Sequence, residues 1–178
     1  MVTLNDRLAA DLDKAFEAFV RAHQDAVYAT ALRLTSPADA DDVAQETFVR
    51  AYKSLTGFEP ERILALAPRP WLARITVNVC RNRARDNGRR PRTTVFDQAH
   101  ASDPADPAAG PDIRAEQADG AAALAVRLAA LPDRYRVPVV LRHAYGLSYD
   151  EVAEALDRPV GTVKAQVSRA LQQLKESS

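Results

Sequence analysis

The sequence predicts an all-α protein: two small helical bodies joined by a flexible acidic linker. Three observations predict it. Apolar residues recur at spacings of three and four through most of the 178 residues, and hydrophobic content is 47% with only 6% aromatic. Such a balance, rich in Ala and Leu, favours helix over sheet. Between Gly88 and Ala118 the periodicity stops, and Pro91, Pro104, Pro107 and Pro111 stand among Ser, Asp, Ala and Gly. That composition cannot bury enough apolar surface to order itself, so about 25 residues there read as a tether. Finally, residues 148 to 171 read as two short helices joined by a tight turn. This is the helix-turn-helix arrangement, which lays its second helix in a DNA major groove.

From Asp11 to Leu34, the residues Phe16, Phe19, Val20, His23, Val27, Ala31 and Leu34 line one face of a helix. Ser36 and Pro37 end it and start the next: Ser36 as N-cap, Pro37 as first residue, and Asp39 in a first turn whose dipole favours negative charge. On this second helix, which runs to about Leu55, the residues Ala40, Val43, Thr47, Ala51 and Leu55 make the buried arc. Asp39, Asp42, Gln45, Glu46, Val49 and Lys53 occupy the other side. Carboxylates repel DNA phosphates, so this face meets either water or a basic protein surface. Pattern alone favours water; Gln45 and Val49 among the acids argue for a protein contact.

Thr56 to Pro60 breaks the chain. A loop with a short helical turn near Ile63 to Leu66 follows, and Pro68 and Pro70 restart a helix from Trp71 to about Asp86. Trp71, Leu72, Ile75 and Val79 point one way, while Arg74, Asn78, Arg81 and Arg85 stack on another face at spacings of four, three and four. Stacked like charges repel by about 0.2–0.5 kcal/mol per neighbouring pair, which suggests an anionic partner. Asn78 adds base-edge chemistry, and Phe58 in the preceding loop offers a ring on which an unpaired base gains about 1–3 kcal/mol. Hydrophobic core is the competing role for Phe58 and the preferred one for Trp71.

The second body begins near Gln117 with a helix to Ala130 and another from about Asp133 to Tyr145. Ser148 and Glu151 then form a capping box, Val152 and Leu156 face inward, and Pro159 suits the first turn of the last helix. At about 100° per residue, Val163, Val167, Ala170 and Leu174 make an apolar stripe, with Lys164, Ala165, Ser168, Arg169 and Gln172 on the opposite side. Arg and Lys reach guanine edges or phosphates, Ser and Gln bond either, and Ala lets the backbone approach. A merely solvated amphipathic helix is the plainer reading; the capped partner at helix-turn-helix spacing favours DNA.

Net charge is zero, but it is sorted along the chain. Residues 1–68 carry seven basic and eleven acidic groups, whereas Arg69 to Arg92 holds eight arginines against the single acid Asp86. Residues 93–123 hold one arginine against six acids, and the remainder eight basic groups against six. The basic block is a nucleic-acid candidate and the acidic parts are not. Cys80 has no partner for a disulfide, and His23, His100 and His143 have no zinc-ligand spacing. No Walker-type loop, apolar span or signal-peptide pattern is visible. The expectation is a cytoplasmic protein without cofactor, metal, catalytic residue or membrane insertion.

In order and spacing the chain resembles bacterial sigma factors of the extracytoplasmic-function (ECF) group, within the sigma-70 family. The resemblance runs from about Asp13 to Lys175 and rests on Asp39-Ala-Asp-Asp-Val-Ala-Gln-Glu-Thr-Phe48, Trp71-Leu-Ala-Arg-Ile-Thr-Val-Asn78 with its following arginines, Leu131-Pro-Asp-Arg-Tyr-Arg136, Gly146-Leu-Ser-Tyr-Asp-Glu-Val-Ala153 and Gly161-Thr-Val-Lys164. It implies an alternative sigma factor that binds core RNA polymerase, its β′ clamp helices and β subunit, and directs promoter-specific initiation. Residues 11–90 would be region 2, 91–117 a linker threading the RNA exit path, and 118–178 region 4. Asp39, Asp42, Gln45, Glu46 and Val49 would form the polymerase-binding face, so the resemblance implies a protein contact where pattern alone favours water. Phe58, Arg74, Asn78, Arg81 and Arg85 would handle the promoter −10 element, and Lys164, Ala165, Ser168 and Arg169 the −35 element. An anti-sigma partner is implied as well. Family members capture a flipped non-template base at the −10 element. Ala165-Gln166 departs from the Ser-Arg common in the family, and the apolar, proline-bounded loop 59–70 departs where the resemblance would place that base. A stand-alone helix-turn-helix regulator is the alternative, and an enzyme built on Cys80 or a histidine a remote third.

Overall fold

The computed structural model describes residues 2–89 and 122–176, and among them every regular element is an α-helix. The first body holds α1 (Leu4–Ala10), α2 (Leu12–Leu34), α3 (Pro37–Leu55), α4 (Pro60–Leu64) and α5 (Pro68–Arg89). The second holds α6 (residues 122–130), α7 (Asp133–His143), α8 (Tyr149–Leu156) and α9 (Val160–Glu176). The expected linker 91–117 and the start of a helix at Gln117 lie outside the described residues.

The buried arcs follow from the periodicity. Phe19, Val27 and Ala31 of α2 meet Ala40, Val43 and Ala51 of α3 and Leu72 of α5 with no exposed surface. In the second body Leu141, Leu147, Val152, Val163 and Val167 are equally enclosed. Each such aliphatic or aromatic side chain larger than Ala contributes about 1.5–3 kcal/mol on burial. Thr47 and Thr76, polar and fully buried, are satisfied because their hydroxyls donate to carbonyls one turn back, Val43 at 2.8 Å and Leu72 at 2.9 Å.

Several elements differ from expectation in physically clear ways. Helix α1 has no counterpart among the expected elements. Thr3 and Asp6 form its capping box, Leu8 anchors it at 1% exposure, and the Asn5 amide donates to the Leu66 carbonyl at 2.8 Å. Helix α5 starts three residues before Trp71, because prolines are tolerated in a first turn whose N–H groups have no intrahelical acceptor. The short helix before it spans Pro60–Leu64 rather than Ile63 to Leu66. Ser36 occupies the N-cap of α3, yet its hydroxyl donates to the Asp39 carboxylate at 2.6 Å and makes no backbone cap bond. Pro159 precedes α9 rather than entering it, and its carbonyl accepts from the Val163 N–H at 3.1 Å.

The bodies touch chiefly where α5 meets α8 and α2 meets α7. Leu34, Val77, Cys80, Arg81 and Ala84 face Asp133, Arg136 and Val137 across a small recess in this seam.

Candidate nucleic-acid and protein interfaces

Helix α9 is presented by the turn before it. Asp157 ends α8 in the left-handed conformation (φ 52°), and the Arg158 N–H closes that helix on the Ala153 carbonyl at 3.0 Å. At the other end of α8, Ser148 and Glu151 complete the capping box, with bonds of 3.1 and 2.8 Å. Val163, Val167 and Ala170 of α9 are fully buried. Lys164, Ala165, Ser168 and Arg169 all lie exposed on the opposite face. Gln166 is engaged elsewhere: its side-chain oxygen accepts from Arg158 at 3.0 Å, bracing the turn.

Helix α5 is different. Arg74, Asn78 and Arg85 are exposed and Arg81 is half-buried, and the four meet different neighbours. Asn78 is exposed and, with Ile75, faces Arg50, Lys53 and Ser54 of α3 across an open recess of about 320 Å³. Arg50 and Lys53 escaped the sequence reading of this site, because they lie on the helix assigned to an acidic face. Arg81 is half-buried in the seam, and Arg85 donates to the Asn82 side chain. Arg74 reaches the second body, donating to the backbone carbonyls of Glu154 and Ala155, the latter at 3.1 Å. Phe58 is half-buried; the Arg62 guanidinium stands 3.7 Å over its ring and Trp71 lies 6.0 Å away. One face of that ring is therefore covered.

On α3 the acids are partly spoken for. Arg83 of α5 pairs with Asp39 at 2.9 Å and also with Asp42, while Arg50 pairs with Glu46 at 2.5 Å. Gln45 is exposed, and Val49 keeps 52% of its surface in water. Arg83 could not be read from sequence, since its partners lie 44 and 41 positions away.

Two titrating groups sit at or near the seam. Burial pushes the Cys80 thiol up to about 12, so the nucleophilic thiolate is suppressed. Burial, and secondarily the nearby Arg69 charge, lowers the His23 imidazole from its ordinary value.

The family models match both bodies: "Sigma-70 region 2" over residues 19–90 and "Sigma-70, region 4" over residues 121–174. An ECF RNA polymerase sigma-E factor of Haemophilus influenzae is 32% identical over 180 residues, covering 97% of this chain and 92% of the relative. The chain belongs to the ECF group of the sigma-70 family. It is thus an alternative sigma factor, the class of protein that directs RNA polymerase to initiate at promoters. The ECF sigma factor SigE of Mycolicibacterium smegmatis is 34% identical over 166 residues; the alignment covers 91% of this sigma factor but only 61% of that longer relative. Among solved structures, the sigma factor RpoE of Bartonella quintana, in complex with the anti-sigma factor NepR, matches with a TM-score of 0.70 at 27% identity, covering 92% of this chain and 96% of that one. A match through the first body sets the stand-alone regulator aside. Among the described residues no helix is long and apolar enough to cross a membrane.

Proposed function

We propose that residues 11–90 dock this sigma factor on core RNA polymerase through the α3 face of Asp39, Asp42, Gln45, Glu46 and Val49, and handle the −10 element through α5. Residues 118–178 read the −35 element through Lys164, Ala165, Ser168 and Arg169. One observation carries this reading. Those four α9 side chains share one exposed face on a helix whose opposite face is sealed in the core and whose entry is fixed by a capped partner. Asn78, with Arg50 and Lys53 across the recess, supports a path for a phosphate-bearing strand. Melting proceeds by trapping unpaired bases, with no catalytic chemistry by this chain, and the factor works in the cytoplasm. The B. quintana complex supports a similar anti-sigma partner here.

The test starts by selecting bound DNA from a random pool with reconstituted holoenzyme, then transcribes the selected promoters. Initiation that requires this protein supports the reading. Equal initiation by core polymerase alone ends it.

A further inference from the structure

We propose that α1 braces the short helix α4 behind Phe58: Asn5 supplies hydrogen-bond donors to carbonyls that the loop's own prolines leave without them, and so sets discrimination at the −10 element. This rests on the proposed −10 role of Phe58 and deepens it. Helix α4 has five residues, too few to hold its shape unaided, and its N-cap residue Glu59 makes no side-chain cap bond. The last carbonyls of a helix need donors from outside it. In a continuing helix the Leu64 carbonyl would receive the N–H of residue 68 and the Leu66 carbonyl that of residue 70, but Pro68 and Pro70 have no N–H. The Asn5 amide takes both places, donating to Leu66 at 2.8 Å and to Leu64 at 3.4 Å. An amide NH2 carries two donors, so one side chain serves both.

The packing agrees. Helix α4 lies chiefly against α1, and α1 in turn against α2. Leu8 anchors α1 in the core and Ile63 anchors α4, with Leu4 and Leu66 half-buried beside them. Helix α1 ends before residue 19, where the region 2 match begins. What it holds bears on the ring, because Arg62 of α4 stands 3.7 Å over Phe58. A shift of α4 moves that guanidinium and changes how much of the ring a base can reach. Asn5 is thus a positioning residue that acts through Arg62 and Phe58. Its chemistry separates this role from mere support of α1. As the second residue of that helix it stands where the dipole favours an acid, and Ala is the better helix former. A helix-supporting role alone leaves Asn5→Asp and Asn5→Ala harmless. The brace predicts damage from both, since neither side chain donates to a carbonyl.

The experiment uses the full chain, free for hydrogen exchange and in reconstituted holoenzyme for transcription. Amides of residues 61–66 should exchange about two- to tenfold faster in Asn5→Ala, the scale of one lost hydrogen bond. Exchange should be faster still in Asn5→Asp, where a carboxylate faces carbonyl oxygens. In holoenzyme, initiation from a selected promoter is compared with initiation from the same promoter carrying a scrambled −10 element. That ratio should fall several-fold in both variants, while capture of core polymerase and binding of −35 duplex stay unchanged. Asn5→Gln keeps the donors and should restore most of the ratio. Unchanged exchange overturns the brace. So does a lower unfolding temperature with the ratio intact, the mark of a purely structural role. Phe58→Ala tests the −10 reading itself. A ratio lowered by Phe58→Ala but by neither Asn5→Ala nor Asn5→Asp overturns the brace and leaves that reading standing. A ratio lowered by none of the three removes both.

Discussion

Helices α5 and α9 carry similar chemistry, arginine and polar side chains opposite an apolar stripe, yet the fold treats them differently. On α9 Lys164, Ala165, Ser168 and Arg169 all lie exposed. On α5 it is divided: Asn78 opens on a recess shared with α3, Arg83 is bound by the acids of α3, Arg74 caps α8, and Arg81 is half-buried in the seam. The contrast teaches that amphipathicity determines which face meets a helix's own core, but not which exposed residues a second body will claim. Helix α9 packs against α7 and α8 of its own body, whereas α5 meets helices of both.

Substitutions can break or sharpen that contrast. The largest effect is expected on polymerase binding. Val49→Asp places a charge on an exposed residue with no intramolecular ion pair to lose, so capture of core in a pull-down should fall more than tenfold while thermal unfolding is unchanged. Charge reversal at Asp42 is a less clean test, because it also removes one of the two carboxylates that hold Arg83. Next, Arg169→Ala should weaken −35 binding by about 1–3 kcal/mol if it reads a base, with no change in unfolding temperature. Arg74→Ala should show a smaller effect in the free chain, since that guanidinium already donates to the carbonyls of Glu154 and Ala155. Comparing the two variants by titration on the same promoter, with and without polymerase, would show whether α5 and α9 differ as described.

Smaller effects concern the turn that joins the bodies' contacts. Gly146 has φ +76°, and a Cβ there would meet only the Arg69 guanidinium, at an ordinary 3.6 Å. The cost of Gly146→Ala is therefore conformational, roughly 1–2 kcal/mol, and should appear as a lower urea midpoint. His23 should give the mildest signal. Its folded pKa is lowered, so the unfolded chain binds its proton more readily. The stability it contributes is complete above its unfolded value of about 6.5 and is lost as pH falls toward the folded pKa. Denaturant titrations between pH 7 and 5 should show that loss, and His23→Gln should flatten it.

Much of this organisation is legible in the residues. The α3 arc of Ala40, Val43, Thr47, Ala51 and Leu55 and the α9 stripe of Val163, Val167, Ala170 and Leu174 are buried as their spacing predicts. The Ser148–Glu151 box is local chemistry, readable within four positions. Helix α1 has the same kind of signal in Thr3 and Asp6, but seven residues are too few for periodicity to stand out. What stays hidden is long-range. Arg83 with its two acids, Arg50 and Lys53 beside Asn78, and Arg74 on α8 depend on how helices are set against one another, and no periodicity within one helix encodes that.

The most direct measurement places a photocrosslinker at residue 78 or at residue 168 and follows capture of a selected promoter with and without core polymerase. The account predicts that the Ser168 position captures −35 duplex in both conditions. The Asn78 position should capture the −10 strand strongly only when polymerase is present. Capture at residue 78 as strong in the free chain as in the holoenzyme would contradict the difference between the two helices.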